Sequence, residues 1–312
     1  MNVADHTRPR CSRREFMHRS VAASATLAFW SGPQLSGAEP AAASLPVVVF
    51  SKVYQTLKLN FEDAAGVTAE AGLNGIDCPV RPDGEILPEK VTTDLPRYAE
   101  FLRRRNLGIP LLTTAITSTA TPHTEDILRA AKNVGVRFYR LGFILRDNDV
   151  KAQVRQVKAA LKDLAALNKQ IGIGAVMQNH SPAGKRYLGG DLSELYDLVN
   201  GFEPAWIGVA FDIGHALVVH GDDWRGWFEK LRPHLKVAYV KDVKRDGGWV
   251  PFGTGDIEKT GYFKVLKEAG YHAPVSMHIE FDWTRQGKAT TRAALVKALR
   301  ESAEVLRSWL QS

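Results

Sequence analysis

Four short polar runs give this chain groups that can move protons and hold polar ligands. They are Gln178-Asn179-His180, Asp212 with His215 three residues on, Tyr239-Val240-Lys241-Asp242, and His278-Ile279-Glu280. Carboxylates and imidazoles exchange protons near neutral pH, and a lysine ammonium steadies a developing oxyanion. Asp77 and Arg140 lie upstream, each in or beside an apolar run. Charges gathered in a buried place are costly unless they pair, bind a metal or meet a polar ligand. Two readings follow. The groups form an ion-pair plug, Asp77 with Arg140 and Asp212 with Lys241, or they form a site.

The elements that carry these residues alternate strand and helix eight times. The expected strands are Leu45–Phe50, Gly75–Val80, Gly108–Thr113, Arg137–Leu141, Ile171–Gln178, Trp206–Phe211, Lys236–Lys241 and Pro274–Phe281. The expected helices are Phe61–Ala71, Leu95–Arg105, Thr124–Asn133, Val150–Asn168, Leu192–Val199, Trp224–Leu231, Gly261–Ala269 and Thr291–Leu310. Gly72, Asn106, Gly135 and Gly270 stand where helices prefer to end. Eight strand–helix units predict an α/β fold, a single-domain (β/α)8 (TIM) barrel over residues 44–312.

Strand alternation then sets the direction of each side chain. Ile207, Val209 and Phe211 are apolar and should face the helices, so Gly208, Ala210 and Asp212 face the axis. The same phase sends Asp77, Arg140, Gln178, Tyr239, Lys241, Ser276, His278 and Glu280 inward. Most fall late in their strands, at the end where such barrels build active sites. The expected outcome is a rim that gathers Asp212, Lys241 and Glu280 in one pocket.

Residues 1–43 read as an address. Ser12-Arg13-Arg14-Glu15-Phe16-Met17 precedes the uncharged stretch Val21 to Trp30, and Ala41-Ala42-Ala43 offers a cleavage site. The apolar part is shorter than the ~20 residues that span a bilayer. The twin arginines with Phe-Met resemble a twin-arginine export signal, so a periplasmic protein, free of the membrane once the signal is removed, is expected. The formal net charge of +7 owes much to the five arginines of this segment. The other basic residues form no stripe, and nucleic acid is not an expected partner. Cys11 lies in the leader and leaves Cys78 alone, which excludes an internal disulfide in the mature chain. Gly253-Thr254-Gly255-Asp256 lacks the Gly-Lys-Ser/Thr of a P-loop, and no nucleotide cofactor is expected. That loop either covers the substrate or is a plain turn with Asp256 capping the next helix. Trp249, in a Gly-rich loop, is the better candidate for stacking on a sugar, while Trp206 and Trp227 are expected in the core.

Together, Gln178-Asn179-His180, Phe211-Asp212-Ile213-Gly214-His215, Tyr239-Val240-Lys241-Asp242, Pro251-Phe252-Gly253-Thr254-Gly255-Asp256 and His278-Ile279-Glu280 resemble the xylose isomerase-like sugar isomerase/epimerase family over nearly all of residues 45–310. The resemblance implies a divalent ion held by two Glu, one Asp and one His at these strand ends. Asp212 and Glu280 match two of those positions. Gln178 and Tyr239 stand where a Glu and the His are usual. Mn, Mg, Co or Zn would suit oxygen ligands with one or two imidazoles, and His180, His215 or His278 could supply nitrogen. The implied reaction is proton abstraction alpha to a sugar carbonyl. Glu280 would be base and ligand, Asp212 a ligand, and Gln178 a weak ligand or hydroxyl binder. Lys241 would stabilise the oxyanion. His180 and His215 would bind substrate hydroxyls, His180 also serving in catalysis, with Arg140 and Asp77 at the rim. An unphosphorylated carbohydrate, such as an oxidised glycoside, is the expected partner; oligomeric state is not legible. The alternatives are a keto-sugar or glycoside lyase, and a carbohydrate-binding barrel that has lost its metal. An endonuclease of related fold would need a His-rich multi-metal site and a basic DNA face, neither of which is evident.

Overall fold

The computed structural model describes residues 45–181, 186–284 and 290–312. The leader of residues 1–43 lies outside the described residues.

Eight parallel strands close on themselves: β1 (Val47–Phe50), β2 (Gly75–Val80), β3 (Gly108–Thr114), β4 (Phe138–Arg140), β5 (Gly174–Gln178), β6 (Ile207–Asp212), β7 (Leu235–Val240) and β8 (Val275–Met277). Neighbours in sequence pair in space, and Val48 of β1 faces Ser276 of β8 to close the ring. The helices among the described residues are α1 (Phe61–Glu70), α2 (Val91–Arg103), α3 (Thr124–Asn133), α4 (Val150–Ile171), α5 (Leu192–Val199), α6 (Ile213–His220), α7 (Trp224–Leu231), α8 (Tyr262–Glu268) and α9 (Arg292–Gln311). Among these residues no helix is long and apolar enough to cross a membrane. The (β/α)8 expectation is met.

Differences from the expected elements have local causes. α4 runs on through Ile171 to a left-handed Gly172, so β5 starts at Gly174. α6 was not expected. It is short, and its first five residues are buried, so it lacks the polar face that marks a surface helix. β8 stops at Met277, and His278 to Phe281, expected in the strand, continue as irregular chain.

Two apolar layers result. Outward residues of the strands pack under the helices, as where Phe211 meets Phe228 edge-on at 5.1 Å between ring centroids. Inside, Leu111, Val176, Ala210, Val237 and Tyr239 pack together, with Phe138 against them, and fill the axis. This plug makes the barrel a solid core and leaves the polar residues above it, toward the strands' C-terminal ends. Gly75 permits the β2–β3 approach: a Cβ there would lie 2.1 Å from the carbonyl oxygen of Gly108.

Candidate functional site

The strand phase brings Asp212 and Lys241 together. Asp212 ends β6 and is fully buried. Its Oδ2 lies 3.1 Å from the Lys241 Nζ, and it accepts a 2.8 Å hydrogen bond from Gln178 Nε2. Its Oδ1 caps α6 by accepting from the His215 backbone N–H at 3.2 Å. Asn179 holds the strand end on both sides, donating to the Asp212 carbonyl at 2.9 Å and accepting its N–H at 2.8 Å.

Lys241 also donates to His215 Nε2 at 2.8 Å. An ammonium has no lone pair, so that nitrogen accepts, and Nδ1–H donates to Ser181 Oγ at 2.6 Å. Burial, reinforced by Lys241, pushes the His215 pKa well below the usual imidazole value. His180 is half-buried and lies over the His215 ring, 3.9 Å between centroids. Its Nδ1 is 2.9 Å from the Ser181 carbonyl, which can only accept. That bond places the proton on Nδ1 and leaves the Nε2 lone pair without a hydrogen bond among the described residues. Burial and Lys241 lower this pKa too, so the ring is a neutral base at pH 7. Trp249 lies 5.0 Å from the Lys241 Nζ and 5.0 Å edge-on from the His215 ring. A groove of about 370 Å³ opens beside His180, with Arg146, Arg186, Tyr187 and Glu194 among its walls.

On the other side of the axis, Asp77 is fully buried and accepts from Thr113 at 2.8 Å and Ser276 at 3.1 Å. Burial pushes its pKa up to about 6 against these hydrogen bonds. The Asp77–Arg140 pair of the plug reading is absent: among the described residues no carboxylate oxygen lies within 4.0 Å of the Arg140 guanidinium. Arg140 instead donates to the Leu141 carbonyl at 2.9 Å and lies 4.3 Å from the Phe143 ring centroid. His278 Nε2 is buried with no hydrogen-bond partner among the described residues, 4.0 Å from Asp77 Oδ2, and the Tyr239 hydroxyl is buried beside Asp77 and Thr113.

Glu280 does not join the cluster. It is exposed and makes no hydrogen bond or ion pair with Asp212 or Lys241 among the described residues. Of the expected ligand set of Gln178, Asp212 and Glu280, the structure brings only Gln178 and Asp212 together. The Asp212 oxygen that would face a divalent ion faces an ammonium instead. Gln178 turns its amide N–H, a donor, toward the same oxygen, because a carboxylate can only accept. Among the described residues no group of three His, Cys, Asp or Glu could hold a metal. These side chains do not fit the divalent ion that the resemblance implies, and Lys241 neutralises Asp212 in its place.

In the loop after β7, Asp256 does not take the capping role of the plain-turn reading. Gly253 and Gly255 donate to Asp242 Oδ2 at 2.9 and 2.8 Å, and Val243 donates to Oδ1 at 3.0 Å. A Cβ on Gly255 would overlap Asp242. Asp256 caps no helix; it accepts from the Arg245 N–H and pairs with Lys259. Asp242 thus ties down the loop that carries Trp249. No role had been assigned to it, although a buried Asp ahead of Gly-Thr-Gly was a readable sign. Ser181, Asn179, Phe143 and Tyr187 were also missed as participants. Trp206 and Trp227, expected in the core, are half-buried, with Trp206 donating to Glu203.

A family model described as xylose isomerase-like TIM barrel matches residues 66–309. No curated protein matches at the threshold applied. Among solved structures, D-psicose 3-epimerase from Clostridium cellulolyticum H10 superposes with a TM-score of 0.64 at 12% identity, covering 81% of this chain and 94% of that one. A xylose isomerase domain protein from Planctomyces limnophilus gives 0.63 at 15% identity, covering 85% and 97%. The 3-keto-D-glucoside 4-epimerase of E. coli gives 0.62 at 14% identity, covering 80% and 94%. At such identities the likeness is one of fold.

Proposed function

The chain belongs to the xylose isomerase-like TIM-barrel family, and from that membership we propose that it is a sugar isomerase or epimerase drawing a proton from the carbon beside a carbonyl. One observation carries the reading: a buried ammonium, Lys241, is fixed by Asp212 and His215 next to a neutral imidazole, His180, with a free lone pair. His180 takes the α-proton, negative charge grows on the carbonyl oxygen, and Lys241 stabilises it. Family members of this fold commonly use divalent metals for that second task; in this chain the lysine supplies the charge. His180 then delivers the proton on the same face to the former carbonyl carbon while the neighbouring hydroxyl's proton passes to the former carbonyl oxygen, which gives the isomerised sugar; epimerisation would need a second proton donor on the opposite face. Asp212, braced by Gln178, and His215 hold the lysine, and Trp249 covers it. The leader adds that the folded protein is exported, which favours an unphosphorylated substrate.

Proton exchange tests this directly. A panel of aldoses, ketoses and keto-glycosides incubated with the protein in D2O is expected to lose one α-proton signal by NMR for at least one member, and His180→Gln should stop the loss. A sugar that binds without any exchange across the panel would replace the enzyme with a carbohydrate-binding barrel.

A further inference from the structure

The second half of the barrel mouth holds a cation with no acidic partner among the described residues. Arg140 ends β4 and is 3% exposed. A guanidinium carries five N–H donors in a flat fork. Its one hydrogen bond among the described residues goes to the neighbouring Leu141 carbonyl. The Phe143 ring covers one face and forms no hydrogen bond with the fork.

The nearest acid does not neutralise it. Asp77 lies near enough to feel the charge, but its two oxygens are taken by the neutral hydroxyls of Thr113 and Ser276. Burial also favours the protonated form of Asp77. The second acid on the axis, Asp212, is committed to Lys241. Around these groups the field is positive. His180 and His278 are both held neutral by burial, with Lys241 and Arg140 acting in the same direction. Arg81 adds a further positive charge near Arg140. His278 Nε2 also lacks a hydrogen-bond partner among the described residues and faces the same interior beside the Tyr239 ring, 4.0 Å from Asp77 Oδ2. Buried charges are kept when something pairs with them. Here the missing partner is a single negative charge with two acceptor atoms.

We propose that Arg140 binds a carboxylate on the substrate, so that the sugar handled here is a uronate or a comparable keto-acid sugar. The planar fork of Arg140 matches a carboxylate in a bidentate pair, with the Phe143 ring stacked against the guanidinium. Bound this way at β4, the anionic end of the sugar would lie across the mouth from Lys241 on β7. The reacting carbonyl would then sit toward Lys241 and His180. The inference rests on the functional reading only in taking the ligand to be a sugar.

Calorimetry on the full chain tests it with matched pairs: D-glucuronate against D-glucose, and D-galacturonate against D-galactose. Each uronate is expected to bind at least ten-fold more tightly than its neutral partner. Arg140→Gln should erase the difference, and Arg140→Lys should keep part of it, since a point charge replaces the fork. Thermal unfolding without ligand reports whether each variant folds; if the glutamine variant does not, the lysine variant still decides by the size of the preference it keeps. Equal binding within both pairs, no binding of either uronate, or an undiminished preference in folded Arg140→Gln or Arg140→Lys would overturn the proposal. So would tighter binding of D-glucose 6-phosphate than of D-glucuronate, which would point to a phosphate. Uronate binding through Arg140 without proton exchange would sink the isomerase reading alone. Exchange on a neutral sugar with no uronate preference would sink this inference alone.

Discussion

The two halves of the barrel mouth solve the burial of charge differently. On β5, β6 and β7, each charged group has a partner in the protein: Asp212 takes Gln178, Lys241 and the His215 N–H, and Lys241 takes Asp212 and His215. Around β2, β4 and β8, Asp77 is satisfied by hydroxyls, while among the described residues Arg140 and His278 keep unmatched polar atoms. A closed network is rigid before any ligand arrives, which suits a group that must meet charge in a transition state. An open one carries a cost that only a ligand removes. The closed half suits machinery and the open half suits recognition.

Breaking the closed half should have the largest effect. Lys241→Met leaves Asp212 buried without a cation, a change that costs about 3–5 kcal/mol when one partner of a buried pair is removed. Urea denaturation should show that loss, and α-proton exchange should disappear. The double variant Asp212→Asn/Lys241→Met removes the stranded charge as well. It should recover most of the stability and none of the exchange. If the double variant is no more stable than the single one, the pair is not what balances this half.

His180→Gln should be gentler on the fold and still severe on the chemistry. The ring is half-buried and its bond to the Ser181 carbonyl is local, so stability should move by less than about 1 kcal/mol. Loss of a general base should slow exchange roughly 10²–10⁴-fold. Because its pKa is lowered by burial and Lys241, the wild-type rate should stay flat as pH falls through 6.5 and decline only below. A decline centred on or above that value would remove His180 as the base.

How much of this contrast was readable beforehand depends on distance from the backbone. Period-two alternation in β6 alone set which residues face the axis, and Asp77, Arg140, Gln178, Asp212 and Lys241 followed from it. Glu280 did not, because β8 ends at Met277 and alternation says nothing about chain beyond the ladder. Nor does phase say where a long side chain ends. Lys241 reaches across from β7 to the oxygen of β6 that was expected to face a metal, and that competition is decided by four methylenes and a hydrogen-bond geometry. α6 hid because a short buried helix has no polar stripe to betray it.

Asp77 offers a smaller effect with a defined sign. Its pKa is raised to about 6 in the fold, from a reference of 3.8. The folded state therefore favours the proton. Stability is undiminished below pH 3.8, falls as pH rises to about 6, and is flat beyond. A shift of that size is worth at most about 3 kcal/mol. Asp77→Asn does not titrate, so its advantage over the wild type should be nil near pH 4 and grow to its full value above pH 6. An advantage of constant size from pH 4 to 8 would mean that Asp77 is ionised throughout and is balanced by Arg140 at longer range, which would blur the contrast between the halves.

The smallest expected effect is the most discriminating. Lys241 and a divalent ion cannot both occupy the face of Asp212 Oδ2, since two cations at that separation repel and the oxygen already holds an ammonium at 3.1 Å. Gln178 spends its donor on that oxygen, and Glu280 stands exposed away from this network. Exhaustive dialysis against EDTA should therefore leave the exchange rate and the melting temperature unchanged, and added Mn or Zn should raise neither. A chelator that abolishes exchange, with recovery on adding back one metal, would mean that Lys241 swings off Asp212 and the closed half opens during turnover. The two halves would then differ in timing and not in kind.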